Sequence, residues 1–125
     1  MNKEPLIFIE HILDNIKNIE TFMKNISKRH FFKNKEKQNA VIRSIEIVGE
    51  AVKNIPNSFR KKYSNIPWIK IAGMRDKLMH HYFGINLNTV WKVIKEDLPD
   101  LKKKILKIKN ELEEDKENKL RYKNR

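Results

Sequence analysis

The stretch IEHILDNIKNIETFMKNI, Ile9 to Ile26, decides the fold class. Its apolar residues Ile9, Ile12, Ile16, Ile19, Met23 and Ile26 step by three and four, which is the spacing of one helix face. Polar and charged residues fill the gaps. The same pattern returns in Val41, Ile45, Val48, Val52 and Ile55, and again from Trp91 through Ile94, Leu98, Leu101, Ile105 and Ile108 to Leu112. Strand-like alternation is missing, and the chain has only 3 glycines and 4 prolines. These stripes predict an all-α, up-and-down bundle of four to five helices in which each apolar face packs on the others.

The breaks between the stripes place the helices. Pro5 suits a first helical turn, where its missing N–H is no loss. His30 to Asn34 reads as a connection. Pro56-Asn57-Ser58 ends the second helix, with Ser58 as a candidate cap for a short turn over Phe59 to Tyr63. Pro67 opens a third helix and Gly84 is suited to end it. Asn86 or Asn88 can cap a fourth. Pro99 should kink that helix, because it removes a backbone donor and crowds the preceding turn. Residues 1–112 form the expected helical domain. From Glu111 onward nearly every residue is charged or polar, so 113–125 is expected to be a frayed tail.

Composition narrows the function. The chain of 125 residues is long enough for one domain with a modest core. Lysine and arginine outnumber aspartate and glutamate by 28 to 16, a net charge of +12. Such an excess suits a polyanion, nucleic acid first, although a lysine-rich solvated surface would look the same. The charge is spread out, with 10 basic and 5 acidic residues in 102–125. The absence of cysteine excludes disulfides, thiol catalysis and cysteine-type zinc sites, and it suits a cytoplasmic protein. No stretch approaches the roughly 20 apolar residues of a membrane span. Leu6 to Ile9 is too short an apolar run, and Glu10 closes it too soon, for a signal peptide.

The chemistry concentrates in RDKLMHHYFG, Arg75 to Gly84. A guanidinium can hold a phosphate by paired hydrogen bonds, and an imidazole can move a proton near neutral pH. Asp76 and His80 are four apart and share a helix face, so the carboxylate could fix the ring's tautomer. Arg75 and His80 differ by about 140° at 100° per residue. They cannot both face one small ligand from a regular helix. Either the helix unwinds near His80, or a second copy of the chain completes the site. In a shared cleft, RNA could supply its own nucleophile: one histidine takes the 2′-OH proton and the arginines stabilise the phosphorus oxygens. DNA lacks that hydroxyl. His80 and His81 diverge on a helix, and His11 and His30 stand alone, so no metal site is expected.

The stretches RSIEIVGEAVKNIP (Arg43 to Pro56), FRKKYSNIPWIKIAGMRDKLMHHYFGIN (Phe59 to Asn86) and VWKVIKEDLPDLK (Val90 to Lys102) resemble the HepT-like family of HEPN-domain proteins. These are toxins paired with a minimal nucleotidyltransferase antitoxin. The family signature is an arginine, four residues, a histidine, one residue and a tyrosine. Here it falls on Arg75, His80 and Tyr82. The resemblance, which covers about residues 4 to 112, implies a bundle that pairs as a homodimer through the motif helices. It also implies metal-independent RNA cleavage with Arg75 and His80 as the active residues and no cofactor. It further implies control by transfer of AMP from ATP to Tyr82. The position between histidine and tyrosine is often glycine in the family and is His81 here. Arg43, Glu46 and Glu50 resemble a recurrent family segment; they share one helix face and could brace Arg75 through a carboxylate. The alternative is a non-catalytic helical adaptor that binds the nucleotidyltransferase or RNA.

Overall fold

Helix follows helix along the chain, with no strand among the described residues. The structure is a computed structural model and describes residues 4–79 and 86–123. Its elements are α1 (Pro5–Phe22), α2 (Lys28–Lys33), α3 (Lys35–Lys53), α4 (Asn57–Lys62), α5 (Trp68–Met79), α6 (Leu87–Lys92) and α7 (Leu98–Lys123). A π-helical turn, Val93–Asp97, joins α6 to α7, so 87–123 is one helical rod. This rod, α1, α3 and α5 are the long members of the expected up-and-down bundle. α3 sits at the centre, packed on α1 and α5, and α1 packs on α7.

The three apolar stripes are the core. Ile9, Ile12, Val41, Ile45, Val48, Val52 and Ile105 have no exposed surface. Each such side chain contributes about 1.5–3 kcal/mol on leaving water. α1 runs from Pro5 to Phe22 and is closed by Met23, whose N–H bonds the Ile19 carbonyl. The turn to α2 uses Asn25 at φ 61°, a left-handed conformation that asparagine tolerates better than most residues.

The first connection is more ordered than its sequence suggests. Lys28–Lys33 is a turn and a half of helix, where His30 to Asn34 was expected to be irregular. Ser27 caps it by accepting the His30 N–H at 3.2 Å. Asn34 caps α3 by accepting the Lys37 N–H at 3.0 Å. Gln38 donates to the Phe31 and Phe32 carbonyls at the end of α2, the first of which also accepts the Asn34 N–H. α4 also differs in detail. It starts at Asn57 after Pro56, so Ser58 lies within the first turn rather than capping it.

At Pro99 the helix changes pitch. The Leu98 N–H reaches five residues back to the Val93 carbonyl. One extra residue is thereby absorbed just before the proline, which gives no N–H to the Lys95 carbonyl and would crowd it. At the start of α6, Asn86 is the cap, accepting from Asn88 and Thr89. α7 stays helical to Lys123, where polarity suggested fraying from Glu111. Leu112 is its last residue packed on the core, and side chains 113–122 are exposed. The sequence at Asp115/Lys119 and Glu117/Arg121 pairs opposite charges at i,i+4, which suits an exposed helix.

Candidate active site

The local structure fixes the start of α5, the helix that carries Arg75. Arg60 donates from Nη2 to the Val52 carbonyl at 2.6 Å and from Nε to the Ile55 carbonyl at 3.1 Å. It thus satisfies the end of α3 and ties α4 to it. The Trp68 indole N–H donates to the Arg60 and Tyr63 carbonyls at 3.1 and 3.0 Å. Its ring packs near Phe59, with centroids 6.5 Å apart. The Tyr63 hydroxyl donates to Glu111 at 3.0 Å, which links this corner to α7. Burial, and then the bond to Glu111, push the Tyr63 pKa up to about 12. That phenol stays protonated at neutral pH and acts as a strut. Sequence reasoning assigned no role to Arg60 or Tyr63; the signal available was the indole of Trp68 just after Pro67, whose N–H needs carbonyl partners when buried.

From that anchored start α5 buries Ile71, Met74 and Leu78. At 100° per residue, Arg75 lies about 40° from Ile71 on the inner side and about 60° from Ala72 on the outer side. Its place is therefore the flank of α5, beside the buried stripe. The structure describes Arg75 in its backbone alone. The opposite side carries Ile69, 85% exposed, with Gly73 and the exposed Asp76. A Cβ added at Gly73 would meet nothing within 4 Å. Asp76 thus stands on the open face, four residues before His80. His80, His81 and Tyr82, and with them the Gly84 stop, lie outside the described residues.

On α3, Arg43 Nη1 bonds Glu46 Oε2 at 3.2 Å, one turn along the helix. The Arg43 side chain is largely exposed, whereas that of Glu46 is mostly buried. Glu50 is exposed one turn further on. The three share a face as expected, and Arg43 pairs with Glu46. A cleft of about 250 Å³ lies between α5 and the rod, lined by Lys70, Ile71, Met74, Glu96, Asp97 and Asp100. Its three carboxylates make it a poor place for an RNA phosphate. Among the described residues no group of three or more histidine, aspartate or glutamate side chains could hold a metal ion. His30 instead pairs locally with the Ser27 hydroxyl at 2.9 Å. No helix among the described residues is long and apolar enough to cross a membrane.

The sequence profile of the family described as Ribonuclease HepT-like matches residues 12–108. A Methanocaldococcus jannaschii protein named "Gamma-glutamylcyclotransferase and putative RNase" is 50% identical over 119 residues, which is 95% of this chain and 54% of that protein. A Thermococcus cleftensis protein named "Probable ribonuclease HepT" is 47% identical over 109 residues, covering 87% of this chain and 99% of that protein. The chain therefore spans about half the length of the first relative and nearly all of the second. No solved structure matches it significantly. With a profile match across most of its helical bundle, the chain belongs to the HepT-like ribonuclease family.

Proposed function

We propose that the protein is a metal-independent endoribonuclease, the toxin of a toxin–antitoxin pair, and that it works as a homodimer. The observation that carries this reading is the position of the Arg75-Asp76 pair in α5. The core-packed residues Ile71, Met74 and Leu78 hold the helix, while Asp76 faces solvent immediately before the segment that contains His80. A rigid helix delivering a guanidinium and a carboxylate to an imidazole is what phosphodiester cleavage by proton transfer needs.

In the proposed reaction His80 takes the proton of a ribose 2′-OH. The 2′ oxygen forms a bond to phosphorus and the bond from phosphorus to the 5′ oxygen breaks. A second histidine, from the partner copy or His81, or a water molecule, gives the leaving oxygen its proton. The products are a 2′,3′-cyclic phosphate and a free 5′-OH. Arg75 stabilises the charge that builds on the phosphorus oxygens. Asp76 orients the imidazole, and Glu50 and Arg43 hold the α3 side of the site. The outward face of α5 supports pairing: Ile69 is almost bare, and Gly73 leaves room for a second helix to approach. Control is by a minimal nucleotidyltransferase that transfers AMP from ATP to the Tyr82 hydroxyl and releases pyrophosphate. The added phosphate would bring negative charge and bulk beside Arg75 and His80.

The test is incubation with total RNA in EDTA, followed by mapping of the ends. Cyclic phosphate ends that vanish in His80→Ala are expected. RNA left intact by unmodified, dimeric protein would overturn the nuclease reading. Protein made beside its nucleotidyltransferase should gain one or more AMP masses that map to Tyr82; bare Tyr82 in that sample would overturn the control scheme.

A further inference from the structure

We infer that α2 and the α6 end of the rod form a second RNA-contacting surface, which grips single-stranded RNA outside the cleavage centre. The inference rests on the reading of the chain as an RNA-cleaving protein, and it extends that reading to how the substrate is held.

The charge on this surface is of one sign, as it also is on α4. α2 carries Lys28, Arg29 and Lys33, all exposed, and contains no acidic residue. Among the described residues none of the three forms an ion pair. On α7 three of the lysines do form ion pairs. Lys102 is bridged to Glu20 at 2.9 Å, Lys104 to Asp100 at 3.1 Å and Lys109 to Glu113 at 4.0 Å. The α7 lysines are therefore partly neutralised, whereas the α2 cations are left to solvent. Arg29 and Lys33 are four apart and stand on one side of the helix, where successive phosphates could meet both.

Aromatic rings interleave these cations. Phe32 and Trp91 are both half-buried. The Lys28 ammonium lies 5.5 Å from the Phe32 ring centre, and that of Lys95 lies 4.8 Å from Trp91. Cations beside partly open rings are the usual means of holding single strands, with phosphates on the charges and bases on the rings. Phe31, fully buried, packs on Trp91 with ring centres 5.9 Å apart, so α2 and α6 form one continuous surface.

In sequence that surface follows the motif segment closely. α6 begins at Leu87, capped by Asn86, and Trp91 follows Asn86 by five residues, an axial rise of about 7–8 Å. The surface reads phosphate and base faces, so it supplies affinity for long RNA and leaves the bond-breaking step to the motif residues.

The test is equilibrium binding of oligouridylate of about 20 nucleotides to the His80→Ala protein, with salt titration. The triple variant Lys28→Gln/Arg29→Gln/Lys33→Gln should bind about 10-fold more weakly, with a salt slope shallower by about 2. A control, Lys104→Gln/Lys107→Gln/Lys109→Gln, removes the same charge from α7 and should change affinity by less than about 2-fold. RNA should also quench Trp91 fluorescence, while the buried Trp68 should not respond. All six positions lie on helix surfaces, and circular dichroism checks that both triples fold. Equal loss in the two triples, or no loss in either, would overturn the surface. Binding that depends on α2 in a parent protein that never cuts RNA would overturn the nuclease reading and leave the surface standing.

Discussion

α3 and α5 lie against each other and are built for different work. α3 is buried on a wide front, with Val41, Ile45, Val48 and Val52 sealed from solvent and Ser44, Gly49 and Ala51 filling the space beside them. α5 buries a narrower stripe, Ile71, Met74 and Leu78, and shows the other half of its surface to solvent. One helix carries the stability of the bundle. The other is held by it and exposes Ile69 and Asp76 on its outer face. Under the proposed function, stability and reactivity fall on neighbouring helices, so damage to one should be distinguishable from damage to the other.

The comparison can be broken hardest at Ile45. Ile45→Ala should cost about 2–5 kcal/mol of stability in denaturant unfolding. A loss below about 1 kcal/mol would mean that the centre of α3 is not tightly packed. On α5 the corresponding change is Arg75→Lys. It should lower RNA cleavage about 100-fold or more while the unfolding midpoint stays near the parent's, because lysine keeps charge but not the planar fork. Cleavage at the parent's rate would remove the bidentate phosphate role.

Gly73 sharpens the contrast. A Cβ there meets open space in the single chain, so Gly73→Leu should fold. It should nevertheless weaken dimerisation by about 10-fold or more in sedimentation, since a larger side chain blocks close approach of a second α5. An unchanged dimer would move the pairing surface elsewhere.

Tyr63→Phe probes the strut below α5 and should cost about 0.5–1 kcal/mol. Because the folded phenol titrates at about 12 rather than 10.0, its stabilising effect is present below pH 10 and is lost as pH rises towards 12. The difference in stability between parent and variant should therefore shrink across that window. Arg43→Ala should have the smallest effect, within about 0.5 kcal/mol, since its bridge to Glu46 is largely exposed. Its loss should show in cleavage rather than stability, and unchanged cleavage would remove its place on the α3 side of the site. Removing 113–125 should likewise leave the melting temperature near the parent's, as side chains 113–122 are exposed.

Much of this contrast was readable in the residues. The stripes of α1, α3 and the rod are long enough for period 3.6 to be unmistakable, and they became the core. α2 was missed because six residues give too little repeat to detect; Ser27 as a cap was the local signal. The π turn follows from Pro99, but a sequence shows only that the helix must yield there, not that it gains a residue instead of bending. The persistence of α7 past Glu111 depends on helix propensity and charge pairing, which polarity alone hides. For the site, the sequence reading singled out Arg75 and Asp76, and the fold puts them on an anchored helix. The roles of Arg60 and Trp68 in fixing that helix were hidden, because they depend on carbonyls that only the folded chain brings within reach.

The most direct measurement uses one short RNA and its twin, identical except for a single 2′-deoxy sugar at the mapped cleavage position, both in EDTA. The account predicts that the RNA is cut to a 2′,3′-cyclic phosphate and the twin survives, with neither cut by His80→Ala. Equal cutting of the two substrates, or cutting that requires an added metal ion, would contradict it.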